Sequence, residues 1–294
     1  MSPPAAAEPT IITPGLLRGW PLDVDEDGGK HESGTVLVIG GSRKTPGAVL
    51  LAGLAALRTG AGRLTIAAPE STAVALGVAV PESGVIGLVE TPSGSLGADS
   101  AHQLQDQIGD SGAVLIGPGL GDVKETAGFL EHVLPMISPH VSVVLDAMTL
   151  RALGGDPSLI DPIRGRVVLT PNRAEAKALL GVTPSIHDLQ VAVPIAQRYD
   201  AAVSYGNAVA APDGRHWLDQ TGHVGLGTSG SGDVLAGLIA GVLARSGDCV
   251  QAACWGTHLH GASGDRLAAR VGRLGFLARE ILDEVPRVLA ELST

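Results

Sequence analysis

The chain has 294 residues, of which 45% are hydrophobic and only 2% aromatic, and its formal net charge is −10. That acidic balance, with no basic run, argues against nucleic acid or an anionic membrane as partner and favours a small molecule. The length suits one large α/β domain over 1–294 with no dividing linker, and its core must be Ala, Val, Leu and Ile in buried parallel strands.

The opening "MSPPAAAEPT" lacks the charged and apolar regions of a signal peptide, and no apolar stretch is long enough to span a bilayer, so a cytoplasmic protein is expected. Residues 1–30 read as a lead-in. "TVLVIGG" (35–41) predicts a buried strand, "PGAVLLAGLAALRTGAG" (46–62) a helix begun by Pro46 and ended near Gly60, and "RLTIAAP" (63–69) the next strand. "GVIGLVET", "AVLIGPG", "VSVVLDA" and "RVVLTPN" repeat the pattern, each followed by a helix-compatible stretch. "AAVSYGNAVAAPDGRHWL" (201–218) predicts two strands around turns, and from Gly230 onward almost everything is helical. Such alternation implies a mainly parallel central sheet with helices on both faces.

Ligands of open α/β sheets bind beyond the carboxyl ends of the strands. The residues there are Gly40-Gly41-Ser42, Gly117 to Gly121, Asp146, Thr170-Pro171-Asn172 and Glu175. A glycine turn after a strand also serves as a plain connection, and Asp146, Asn172 or Glu175 alone also serve as helix caps. "GPGLG" is more telling, because three glycines in five residues clear a ledge on which backbone can approach a flat or phosphate-bearing ligand. "GTSGSGDVLAG" (227–237) places Gly230-Ser231-Gly232 at the start of a helix expected near Val234, where exposed N–H groups and the macrodipole favour an anion. A carboxylate inside an anion hole competes with the anion unless it is a base, so Asp233 suits proton removal from a hydroxyl beside a phosphate.

Those residues, with "VIGGSRKTPGAVLLAGLAALRTGAG", "GPGLG", "VLDA", "LTPN" followed by Glu175, and "HLHGASGD", resemble the ATP/ADP-dependent NAD(P)H-hydrate dehydratases of the ribokinase-like superfamily. Six motifs occur in order from about residue 11 to the end. The resemblance implies a ribokinase-like α/β fold and nicotinamide cofactor repair. ADP or ATP phosphorylates the ring hydroxyl of the S-epimer of NAD(P)H hydrate, phosphate leaves, and NAD(P)H is restored. It implies Asp233 as catalytic and substrate-binding residue, and Ala48, Gly121 and Asn172 along the hydrate. Tyr205, Gly206, Asn207, Gly230 and Gly232 would hold the nucleotide, and Glu175 would serve Mg2+ through water or phosphate. A homo-oligomer such as a tetramer is also implied. The epimerase domain of some relatives is not expected, since about thirty residues precede the first strand.

Three positions depart from the family pattern. Asn172 replaces the usual histidine, Tyr205-Gly206-Asn207 replaces a Lys-Gly step and is one residue shorter, and Met148 follows "LDA". The Asn172 to Glu175 N-x-x-E pattern also fits a ribokinase-like kinase of a hydroxymethyl vitamin precursor, and a nucleotide-binding sensor without turnover is a third reading. With only Lys30, Lys44, Lys124 and Lys177, and none near the glycine loop in sequence, phosphoryl transfer would need a divalent metal. Cys249 and Cys254, five apart, read as core residues in a helix rather than a disulfide or metal pair. His258 and His260, two apart, face different directions on a helix, His223 reads as a solvated loop residue, and Trp20, Trp217 and Trp255 look too dispersed for a stacking platform.

Overall fold

The computed structural model describes residues 8–22 and 34–292, so part of the lead-in and Lys30 lie outside the described residues. Ten strands form one sheet: β1 (Thr10–Ile12), β2 (Thr35–Ile39), β3 (Arg63–Pro69), β4 (Ser83–Leu88), β5 (Ala113–Ile116), β6 (Ser142–Leu145), β7 (Val167–Leu169), β8 (Ala202–Tyr205), β9 (Ala208–Ala210) and β10 (His216–Asp219). Their order is β1-β10-β9-β8-β7-β6-β5-β2-β3-β4. From β8 to β4 every neighbouring pair is parallel. β9 runs antiparallel to β8 and β10, and β1 lies parallel to β10.

The central strands are short and almost wholly apolar because both faces are covered. In β2, Val36 and Val38 enter one core while Leu37 and Ile39 enter the other. In β5, Ala113 and Leu115 divide from Val114 and Ile116 in the same way. The first core is closed by helices Gly47–Arg58, Ser231–Ser246, Cys249–Arg270 and Ala278–Leu292, and the second by Val123–Val133, Met148–Gly155, Arg173–Leu180 and Asp188–Tyr199. Each Val, Leu or Ile so buried contributes about 1.5–3 kcal/mol.

Helices Gly47–Arg58 and Ser231–Ser246 pack almost backbone to backbone. A Cβ on Gly237 would lie 2.1 Å from the Ala52 carbonyl oxygen, and one on Gly241 would lie 2.2 Å from Thr59 Oγ1. A Cβ on Gly230 would meet Leu51 Cδ1 at 2.6 Å. The contacts advance together along both helices, so the two run parallel with their N-termini side by side at the carboxyl edge of the sheet.

Three readings of the sequence change. β1 and helix Pro14–Arg18 form inside the expected lead-in. The 201–218 stretch holds three strands, with Gly206-Asn207 as a two-residue turn between β8 and β9. The dispersed tryptophans meet: Trp20 and Trp217 pack edge to face at 6.4 Å, and Trp255 Nε1 donates to the Trp20 carbonyl at 3.0 Å. Cys249 and Cys254 lie in one helix as expected, and burial raises both thiols, Cys249 to about 12.

Candidate active site

The loops after β2 and β5 are knitted together. Gly41 N donates to the Pro118 carbonyl at 2.6 Å, and Thr45 Oγ1 donates to that of Gly119 at 2.7 Å. A Cβ on Gly119 would stand 3.0 Å from Ala48 Cβ, which places Ala48 beside the glycine ledge. Gly121 closes the same ledge, its N–H donating to Ser95 Oγ at 3.1 Å. Ser95 gave no signal in the sequence, since it sits in a serine-glycine loop 26 residues from its partner.

Gly117 has φ +133°, and a Cβ there would fall 2.0 Å from the Asp146 carbonyl oxygen. Only glycine lets β5 deliver its loop against the end of β6. Asp146 itself does not cap the following helix, contrary to the capping alternative. Its carboxylate accepts the Thr170 hydroxyl at 2.9 Å across to the end of β7, and the N-cap position is Ala147, at φ +54°. A non-glycine residue held there stores local strain, a frequent property of functional sites.

Asn172 and Glu175 form a reciprocal cap at the start of helix Arg173–Leu180. Asn172 Oδ1 accepts from the Ala174 and Glu175 N–H groups, while Glu175 accepts from Asn172 N at 2.8 Å and Asn172 Nδ2 at 2.6 Å. This cap turns the buried Glu175 carboxyl inward at the strand ends, with Asn172 exposed above it.

The glycine loop differs from expectation in where its helix starts. The helix begins at Ser231 rather than near Val234, with Gly230 as N-cap at φ +88° and no side-chain cap. Asp233 is therefore a first-turn residue and not the cap. First-turn N–H groups have no intrahelical acceptor, so Gly232 and Asp233 present donors and a carboxyl at one spot. Burial pushes Asp233 up to about 6. Burial also raises Asp146 well above the carboxylate range, helped by the nearby charges of Glu175 and Asp233. Glu175 is raised by burial, with Arg151 offsetting part of this and Asp233 adding to it. Asp146 thus senses Glu175 and Asp233, and Glu175 senses Asp233, across the ends of β6 and β7 and the start of helix Ser231–Ser246.

Tyr205, Gly206 and Asn207 stand farther along the same edge. Tyr205 is buried and the other two are exposed. Asn207 N donates to Asp188 Oδ2 at 3.0 Å and its Nδ2 to the Thr221 carbonyl at 3.1 Å. The turn is thereby fastened to the strap that runs from β10 to the glycine loop. His223 in that strap is half-buried, its Nδ1 accepting from Gly225 N at 3.2 Å with Arg273 Nε packed 3.2 Å from Nε2, so it is not a freely solvated residue. His258 and His260 go to separate partners, Asp219 and Ser231.

Among the described residues no cluster of three or more His, Cys, Asp or Glu could hold a metal unaided, and no helix is long and apolar enough to cross a membrane. Mg2+ keeps few protein ligands and shares phosphate oxygens, so one or two of these carboxyls fit it together with a nucleotide.

Residues 36–287 match the family described as NAD(P)H-hydrate dehydratase. The ADP-dependent (S)-NAD(P)H-hydrate dehydratase of Xanthomonas campestris pv. campestris is 40% identical over 287 residues, 96% of each chain. The bifunctional NAD(P)H-hydrate repair enzyme of Moorella thermoacetica is 36% identical over 288 residues, covering 96% of this chain but 54% of its own length. The ADP/ATP-dependent NAD(P)H-hydrate dehydratase of Bacillus subtilis, co-crystallised with ATP and Mg2+, superposes with a TM-score of 0.80 at 28% identity, over 98% of this chain and all of that one. The ribokinase-like α/β architecture expected from the motifs is the one observed.

Proposed function

The chain belongs to the NAD(P)H-hydrate dehydratase family, and from that premise we propose that it dehydrates the S-epimer of NAD(P)H hydrate to NAD(P)H at the expense of ADP or ATP. The observation that carries the reading is Asp233, a carboxyl raised to about 6 in the first turn of a helix that starts without a side-chain cap, where unpaired N–H groups suit an anion. A base of that strength is half-ionised just below neutrality and can take a hydroxyl proton as phosphoryl transfer proceeds. Phosphate then departs from the ring carbon with the C–O bonding pair, a proton leaves the adjacent ring carbon to solvent, and the C–H pair forms the double bond that restores the reduced nicotinamide.

In this reading the glycine ledge, Ala48 and Gly121 lie along the hydrate with Asn172 at its edge. Gly230 and Gly232 cradle phosphoryl oxygens, and the Tyr205-Gly206-Asn207 turn borders the rest of the nucleotide. Glu175 serves Mg2+, which when bound neutralises phosphate charge. The raised carboxyls favour this assignment, because an incoming cation relieves their mutual repulsion. Turnover in excess chelator should fall at least tenfold, an estimate from the charge that phosphoryl transfer must neutralise.

The direct test offers (S)-NADHX and (S)-NADPHX with ADP or ATP and Mg2+ and follows reduced-nicotinamide absorbance. Recovery with release of one phosphate per hydrate is expected. A stable phosphorylated product would support the small-molecule kinase instead, and ADP binding without turnover would support a sensor. The same proposal places a single-domain enzyme in the cytoplasm as a homo-oligomer, which light scattering checks.

A further inference from the structure

The helix that carries Asp233 starts without the usual side-chain acceptor, since Gly230 has none. Such a helix end needs another tether if its first turn is to keep one orientation. Helix Cys249–Arg270 supplies one to β8 and others to the neighbouring strap. Thr257 and Ser204 share a hydrogen bond of 2.7 Å, and His258 Nδ1 lies 2.9 Å from Asp219 Oδ1. Asp265 accepts from Gly222 N at 3.0 Å. Gly261 and Gly264 let the strap close in, for a Cβ on the first would lie 2.3 Å from Thr221 Oγ1 and one on the second 2.7 Å from the Leu226 side chain. Residues 219–226 are thus pinned along one helix.

Beyond Leu226 the strap continues through Gly227, Thr228, Ser229 and Gly230 to Ser231, where Ser231 Oγ and His260 Nε2 share a hydrogen bond of 2.8 Å. Ser231 is 3% exposed, so its hydroxyl faces inward, whereas Gly232 is exposed and Asp233 partly so. Successive residues of a helix turn by about 100°, which fits a first residue gripping the protein while the next two face ligand. Burial lowers His260 to about 4, so the imidazole is neutral at physiological pH and adds no charge beside the anion hole.

We propose that His260 is a positioning residue that acts through Ser231 to fix the first turn of helix Ser231–Ser246, and thereby aims its N–H groups and Asp233 at the nucleotide. The inference rests on the reaction proposed above. It assigns to the "HLHG" stretch a part in catalysis without contact with substrate.

The test compares wild type with Ser231→Ala, His260→Leu, the double variant and His260→Gln, all assayed well below their melting temperatures. Misplacing reacting groups by a fraction of an ångström costs on the order of tenfold in rate. Both single variants should therefore lose about tenfold in kcat with little change in the hydrate KM. The double variant should be no worse than the worse single, because both remove one bond. His260→Gln, whose amide can reach Ser231, should recover part of the rate. A merely structural pair would lower Tm and leave kcat at low temperature untouched. Wild-type turnover judges the reaction itself. ADP affinity, measured by calorimetry, judges the tether separately and should weaken in Ser231→Ala. Folded single variants with wild-type kcat, losses that multiply in the double variant, or ADP binding that is absent in the wild type or unchanged in Ser231→Ala would each overturn the proposal.

Discussion

Buried carboxyls occur in two settings in this molecule. Glu284, 3% exposed at its side chain, is met by Arg270 Nη2 and Arg287 Nη1 at 3.0 Å each and by Arg266 Nε at 3.4 Å, where helices Cys249–Arg270 and Ala278–Leu292 meet. Asp146, Glu175 and Asp233 at the strand ends are all raised by burial, and only Glu175 draws partial relief from an arginine, Arg151. Desolvation of a carboxylate costs several kcal/mol unless it is paired. The fold answers Glu284 with full ion pairs, gives Glu175 only the Asn172 amide groups and the charge of Arg151, and leaves Asp146 and Asp233 to a hydroxyl, a proton or a metal with its phosphate. That asymmetry separates a carboxyl that holds the structure from those that do chemistry.

The comparison breaks first at Asp233. Asp233→Asn keeps size and hydrogen bonding but loses basicity, so turnover should fall on the order of 100- to 10,000-fold. Melting temperature at pH 7 should rise, because an uncompensated charge is gone. A variant with wild-type turnover would remove Asp233 from the chemistry. Glu284→Gln should do the reverse and cost about 2–3 kcal/mol in urea unfolding, less than for a fully sealed pair because its arginines are partly exposed. Its kcat should be unchanged, and a loss of kcat in the folded variant would erase the distinction. Glu175→Gln keeps the backbone half of the cap, since the glutamine oxygen can still accept from Asn172 N, and gives up the bond from Asn172 Nδ2. It should lower kcat about tenfold and raise the Mg2+ concentration for half-maximal rate, an effect sized for loss of one charged contact. An unchanged Mg2+ dependence would detach Glu175 from the metal.

The smallest effect is on pH. With Asp233 at about 6, its basic form drops from nine-tenths to one-half between pH 7 and pH 6, so turnover should fall about twofold there and tenfold per unit below. Stability should move the other way. The folded carboxyl holds its proton more tightly than the unfolded one, so this group's unfavourable contribution shrinks as pH falls from about 6 toward 4. An Asp233→Asn variant should lose the turnover trend and show a smaller stability trend, since Asp146 and Glu175 remain raised.

Much of this was legible from periodicity. Runs such as "TVLVI" and "AVLI" are strands whether read alone or in place, because both of their faces are buried. β1 was not legible: three residues become a strand only by pairing Thr10 to Ile12 with Trp217 to Asp219. The start of helix Ser231–Ser246 was placed three residues late, because apolar residues begin at Val234 while the hydrogen-bonded turn begins with glycine and serine. Asp233 stood out through its motif. The Thr170 grip on Asp146 and the His260 grip on Ser231 did not, since the partners are 24 and 29 residues apart and join only when strands and helices assemble.

The seam between helices Gly47–Arg58 and Ser231–Ser246 makes the interior mechanically continuous with the mouth of the site. Gly237 lies six residues beyond Ser231, about 9 Å along the axis. A single methyl there would have to displace the Ala52 carbonyl, and a rigid helix pushed aside at that point swings its free end. The two adjacent N-termini would splay like the jaws of pliers opened at the pivot, widening the gap between Ala48 and Gly232. An alteration wholly out of reach of any ligand would in this way be felt as a change of grip.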